Sequence, residues 1–65
     1  MNVAKYREAK KMTQQTLADA VGVTRQMISA IENGAMPSVN TLRKIAEVLG
    51  CSMDALFNDE KEVNQ

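Results

Sequence analysis

The chain has 65 residues, room for one small domain, and its single cysteine and lack of histidine exclude a disulfide-stapled scaffold and a His/Cys zinc site. Eight Lys+Arg balance eight Asp+Glu, so net charge gives no sign of a nucleic-acid partner; by halves, residues 1–34 hold five cations and three anions, residues 35–65 three and five. No apolar run approaches the ~20 residues of a membrane span, and Met1 to Arg7 lacks the apolar segment of a signal peptide, so the expectation is a cytoplasmic protein without membrane contact.

Tyr6 and Phe57 are the only aromatic residues, so the core must come from Leu, Ile, Val, Ala and the five Met. No stretch alternates apolar and polar residues over a strand's length; the periodicity is helical throughout, interrupted at Gly22, Asn33-Gly34, Pro37 and Gly50. The first helix is expected over Val3 to Lys10, with Val3, Tyr6, Arg7 and Lys10 on one face. Thr13 is a good N-cap for a second helix, Gln14 to Val21, which turns Leu17, Ala18 and Val21 inward and stops at Gly22. Thr24 caps a third, from Arg25 to Glu32 or Asn33, closed by Asn33-Gly34. Ser38 caps a fourth, Val39 to Leu49, with Leu42, Ile45, Ala46 and Leu49 inward and Gly50 at its end. Ser52 caps a short fifth through Met53, Leu56 and Phe57; residues 58–65 form a polar tail in which Val63 is the one apolar residue. Each helix is too short to persist alone, so the fold class is all-α, five short helices stabilised by packing on one another.

Only Gly22 and Val23, before the cap Thr24, separate the second and third helices, the spacing of a helix-turn-helix. At about 100° per residue from Arg25, Ser29 lies at about 40°, Asn33 at about 80°, Gln26 at about 100° and Ala30 at about 140°. Met27, Ile31 and Ile28 fall at about 200°, 240° and 300°, so one side is apolar and the other offers Arg, Gln, Ser and Asn without an acid. Arg and Gln are suited to the guanine and adenine edges of the major groove. A merely solvated polar face fits the same wheel.

The run from Leu17 to Gly34 resembles the core motif of the Cro/C1-type (XRE) helix-turn-helix family, whose DNA-binding domains are lambda-repressor-like. The flanks are similar as well: Arg7, Thr13-Gln14-Gln15, Pro37-Ser38, Leu42 with Ile45-Ala46 and Leu49-Gly50, and Ser52 to Phe57. The resemblance covers roughly residues 2–57 and makes residues 1–57 the DNA-binding domain, with 58–65 as a tail. It implies that the third helix enters the major groove, with Arg25, Gln26, Ser29 and Ala30 at base edges, Ala30 offering only a methyl. Gln14, Thr24, Asn33 and Asn40 match positions on the DNA backbone. Glu32, at about 340° on the wheel, is paired with Arg7 by the family pattern, two unrelated surface charges being the alternative. The loop Ala35-Met36-Pro37 is uncharged where many relatives carry Lys or Arg.

The expected function is a sequence-specific transcriptional regulator, a repressor, acting on double-stranded DNA as a homodimer at a two-fold operator. Leu56, Phe57 and Val63 are the candidate dimer patch. The alternative is a protein-interaction module, antitoxin-like or anti-repressor-binding, with a degenerate recognition helix. An enzyme is disfavoured, because there is no His, no Cys pair and no clustered carboxylate site. No residue pattern asks for a metal, cofactor or small-molecule ligand. Cys51 reads as core packing rather than as a redox sensor, and the methionines read as core filler except Met27, at the edge of the polar face.

Overall fold

The computed structural model describes residues 1–57. Every regular element among them is a helix: α1 (Val3–Ala9), α2 (Gln14–Val21), α3 (Arg25–Glu32), α4 (Val39–Leu49) and α5 (Met53–Phe57). The starts follow from hydroxyl caps. Thr13, Thr24 and Ser38 each accept a hydrogen bond from the amide three residues on, at 3.0, 3.1 and 3.2 Å, and Ser52 accepts from the Ala55 amide at 3.0 Å. Each hydroxyl satisfies one of the first-turn amides that the helix itself leaves open.

The ends follow from left-handed residues. Gly22, Gly34 and Gly50 have φ of 90°, 115° and 71°, and just beyond each the chain folds back so that late amides bond the last-turn carbonyls. After α1 the same turn is made by Lys11, the one non-glycine residue with positive φ among those described, at 60°. There the Lys11 amide bonds the Glu8 carbonyl at 2.9 Å and the Met12 amide bonds the Arg7 carbonyl at 3.1 Å. Lys10 is therefore the cap of α1 and not its last helical residue, one position short of the expected end.

The core is one apolar cluster to which every helix contributes. Its fully buried large side chains are Val3, Leu17, Ile28, Ile31, Ile45 and Leu56. Leu17, Ala18 and Val21 point inward from α2, and Leu42, Ile45, Ala46 and Leu49 from α4, as their spacing requires. α2 packs on α3 and α4, α1 lies across α3 and α4, and α5 closes against α4. The start of the chain is tied to α5: the Asn2 amide donates to the Leu56 carbonyl at 2.9 Å and its side chain to the Ala55 carbonyl at 3.1 Å.

Leu56 corrects the sequence expectation. It is 0 % exposed and belongs to the core, so it cannot form part of an exposed dimer patch. In a helix of five residues it is the one side chain that anchors α5 fully in the cluster. Met36 is a second correction: at 68 % exposed it fills no core gap, whereas Met1, Met12 and Met53 are half-buried against the cluster. Among the described residues no helix is long and apolar enough to cross a membrane.

Candidate functional site

α2 and α3 are joined by three residues, Gly22, Val23 and Thr24. The left-handed Gly22 reverses the chain, half-buried Val23 packs on the core, and Thr24 starts α3. Ile28 and Ile31 are then buried, which fixes the rotation of α3 about its axis. The opposite side faces outward. Arg25, Gln26, Met27, Ala30 and Asn33 are exposed, and Ser29 is half-buried. The exposed arc contains arginine, amides and a hydroxyl and no acid. It can donate and accept hydrogen bonds along a row about one helix long.

The electrostatics of the helix ends point the same way. α2, α3 and α4 carry no acidic residue in their first turns, so the partial positive charge of three helix N-termini is not neutralised from within. Thr24 uses its oxygen to accept from the Met27 amide and keeps its own O–H to donate. Asn33 caps α3 from its C-terminal end, its Nδ2 donating to the Ser29 carbonyl at 2.9 Å. Asn40 is exposed in the first turn of α4.

Behind the exposed arc lies a half-buried polar junction. Arg7 on α1 donates from Nε to Glu32 Oε2 at 2.7 Å and from Nη2 to Oε1 at 3.4 Å, and from Nη1 to the Met12 carbonyl at 2.7 Å. The two side chains are only 12 % and 9 % exposed. Its hydrogen bond to Glu32 raises the Arg7 pKa above its ordinary value, burial opposing and the Glu32 charge reinforcing the shift. Gln14 is the third member: its Nε2 donates to Glu32 Oε1 at 2.9 Å. Nε2 carries two N–H groups, and Glu32 Oε1 takes one of them. One glutamate at the end of α3 thus gathers the side of α1 and the start of α2.

The expected site residues therefore fall into three places. Arg25, Gln26, Ser29, Ala30 and Asn33 share the outward side of α3, with Thr24 at its head. Arg7, Glu32 and Gln14 meet at the junction behind it. Phe57 is 44 % exposed at the end of α5, remote in role from Leu56 in the core, and Val63 lies outside the described residues. Two participants were not found from sequence: the Met12 carbonyl as an Arg7 acceptor and Gln14 as a Glu32 partner. Separations of 5 and 18 residues across a turn leave no periodic trace. Cys51 is a half-buried free thiol against the core, and burial pushes its pKa up while the nearby Lys10 charge opposes that.

A family model described as helix-turn-helix matches residues 3–56. An uncharacterised helix-turn-helix-type transcriptional regulator, YqaE of Bacillus subtilis, is 42 % identical over 60 residues, covering 91 % of this chain and 52 % of its own length. The transcriptional regulator SinR of Bacillus licheniformis is 32 % identical over 62 residues, covering 92 % of this chain and 56 % of its own. Among solved structures, the N-terminal DNA-binding domain of SinR from Bacillus subtilis superposes with a TM-score of 0.79 at 30 % identity, over 89 % of this chain and 87 % of that one. The chain spans about half the length of these two curated relatives. With the family model covering nearly all the described residues, the chain belongs to the helix-turn-helix family.

Proposed function

We propose that this helix-turn-helix chain is a sequence-specific DNA-binding transcriptional regulator that lays α3 in the major groove. The observation that carries the reading is the outward arc of α3: donors and acceptors without an acid, held at a fixed rotation by Ile28 and Ile31. In that pose Arg25, Gln26, Ser29 and Ala30 meet base edges, arginine being matched to guanine O6 and N7 and glutamine to adenine N6 and N7. Gln14, Thr24, Asn33 and Asn40 hold the DNA backbone, Gln14 through the N–H that Glu32 does not take. The acid-free first turns of α2, α3 and α4 favour phosphate at each helix start.

The finer reading is a repressor, acting in the cytoplasm as a homodimer on a two-fold operator. Residues 1–57 carry the DNA-binding domain, and the polar tail, 58–65, lies outside the described residues. One domain of this size covers a single half-site, and a two-fold pair doubles the contacts. With Leu56 in the core, the apolar contribution of α5 to a dimer rests on Phe57.

Titration with a random-sequence duplex at low salt tests the reading. Weak binding is expected, with a shallow salt dependence, because the four backbone contacts named are neutral and release no counterions. Selection from a random pool should then return a two-fold consensus. A chain that binds no duplex even at low salt is instead a protein-interaction module, and the reading is wrong.

A further inference from the structure

The outward arc of α3 is not uniform. Arg25, Ser29, Asn33 and Gln26 occupy its first part, from 0° to about 100° on the wheel. The far flank, from about 140° to about 200°, is apolar: Ala30 and Met27, three residues apart and therefore neighbours on the surface. Met27 is 44 % exposed, although the same helix buries both of its isoleucines completely or nearly so, at 0 % and 1 % exposure. Nor is its backbone loose, because its amide is fixed by the Thr24 cap. A long apolar side chain is thus held at the surface, one turn from the head of the helix, beside the row of polar readers.

We propose that Met27 is a specificity-determining residue that reads the C5-methyl of thymine, with Ala30 extending the same apolar contact. The inference rests on the DNA-binding reading above and names what this flank of that site recognises. The major groove is about 12 Å wide and a helix with its side chains about 10–12 Å across, so a helix seated there brings both flanks, not only its centre line, against base edges. The one apolar group displayed on those edges is the thymine methyl. A thioether side chain is flexible enough to reach it and gains by excluding water from it.

Replacing thymine by deoxyuridine removes that methyl and leaves every hydrogen-bonding group in place, so the test isolates the contact. A site selected by the full chain from a random pool is substituted one thymine at a time, and binding is followed by fluorescence anisotropy at fixed salt. At one thymine per half-site or more, the unmodified chain should lose about fourfold in affinity, the worth of burying one methyl-sized group. At that thymine Met27→Ala should bind the two duplexes equally. Met27→Gln, which keeps the length but not the apolar character, gives the same reading should the alanine variant fold poorly. The proposal is overturned if no thymine responds, if both Met27 variants keep the full discrimination, or if only Ala30→Ser abolishes it. It also falls if the chain selects no preferred sequence. Absence of binding to any duplex marks the failure of the DNA-binding reading itself, a result distinct from all of these.

Discussion

α1 is held at its two ends by different chemistry. At its start Val3 is sealed in the core, and Asn2 grips the Leu56 and Ala55 carbonyls, so the contact is apolar with a backbone clasp. At its end Arg7 is held by Glu32 and by the Met12 carbonyl, with Gln14 on the same glutamate. The apolar end contributes stability through area removed from water and tolerates small shifts. The polar end asks for directed bonds to a particular carboxylate, and that carboxylate is the last residue of α3. One strut thus ties the closing helix to the exposed helix, by stability at one end and by orientation at the other.

The largest expected effect lies at the apolar end. Leu56→Ala removes the fully buried anchor of α5 and should cost about 3 kcal/mol, within the range for leucine truncation in a core. Urea denaturation measures it. For a chain of 65 residues that is a large share of a total stability of roughly 3–10 kcal/mol. A loss below about 1 kcal/mol would mean that α5 contributes little and that the comparison of the two ends is misplaced.

At the polar end Glu32→Gln should cost about 2–3 kcal/mol, below the figure for a completely buried pair because some solvent reaches both side chains. The loss arises from a stranded Arg7 rather than from the strength of the pair. Replacing both partners, Arg7→Met with Glu32→Leu, should therefore recover most of it. Because the Arg7 pKa is raised in the fold, its contribution is complete at every pH below the ordinary arginine value and is lost only as pH rises through the raised one. Thermal melts of Arg7→Met and of the unmodified chain between pH 7 and 10 should accordingly run parallel. If the double variant stays as unstable as Glu32→Gln, the junction is a stability device like the other end.

A smaller effect separates the exposed arc from the junction behind it. Arg25→Ala touches nothing in the core, so its melt should match the unmodified chain, yet binding to a selected site should weaken by about 1–3 kcal/mol with relaxed preference at one base pair. Gln14→Ala should weaken selected and random duplexes alike, with little change in salt dependence because glutamine is neutral. It should also lower stability by about 1 kcal/mol, since Glu32 loses a donor. Arg25→Ala that weakens all duplexes equally would make Arg25 a phosphate contact.

The legible part of this protein was the part written locally. Thr13, Thr24 and Ser38 act within three residues of themselves, and Gly22 and Gly50 stop helices by their own φ, so α2, α3 and α4 could be bounded from sequence. The inward stripes of α2 and α4 followed from spacing alone. Leu56 and Phe57 could not be told apart in that way: adjacent apolar residues in a five-residue helix have no period to assign, and packing against α4 and Asn2 decides which one is buried. On the candidate site the composition of the α3 arc was readable. The Arg7–Glu32 pair was readable through the family resemblance, whereas Gln14 as a second partner of Glu32 and the Met12 carbonyl as an acceptor for Arg7 were not, because they depend on how the helices cross.

The end of α1 supplies the smallest and most local prediction. Lys11 makes the same turn that glycine makes after α2, α3 and α4, with φ at 60° and the same pair of fold-back hydrogen bonds seen after α3 and α4. A residue with a Cβ is strained there by roughly 1–2 kcal/mol, which glycine avoids. Glycine also loses more backbone freedom on folding, which offsets part of that gain. Lys11→Gly should then stabilise the chain by about 0.5–1 kcal/mol and raise its Tm by a few degrees. Lys11→Ala is the control that locates the cause, since alanine keeps the Cβ and removes only the charge and the side chain; it should leave Tm nearly unchanged. Equal stabilisation by both variants would place the strain in the lysine charge, among Lys10 and its neighbours, and not in the backbone. A loss with glycine would mean that the turn is held by contacts of the Lys11 side chain, and that α1 ends by tertiary packing where the later helices end by local conformation.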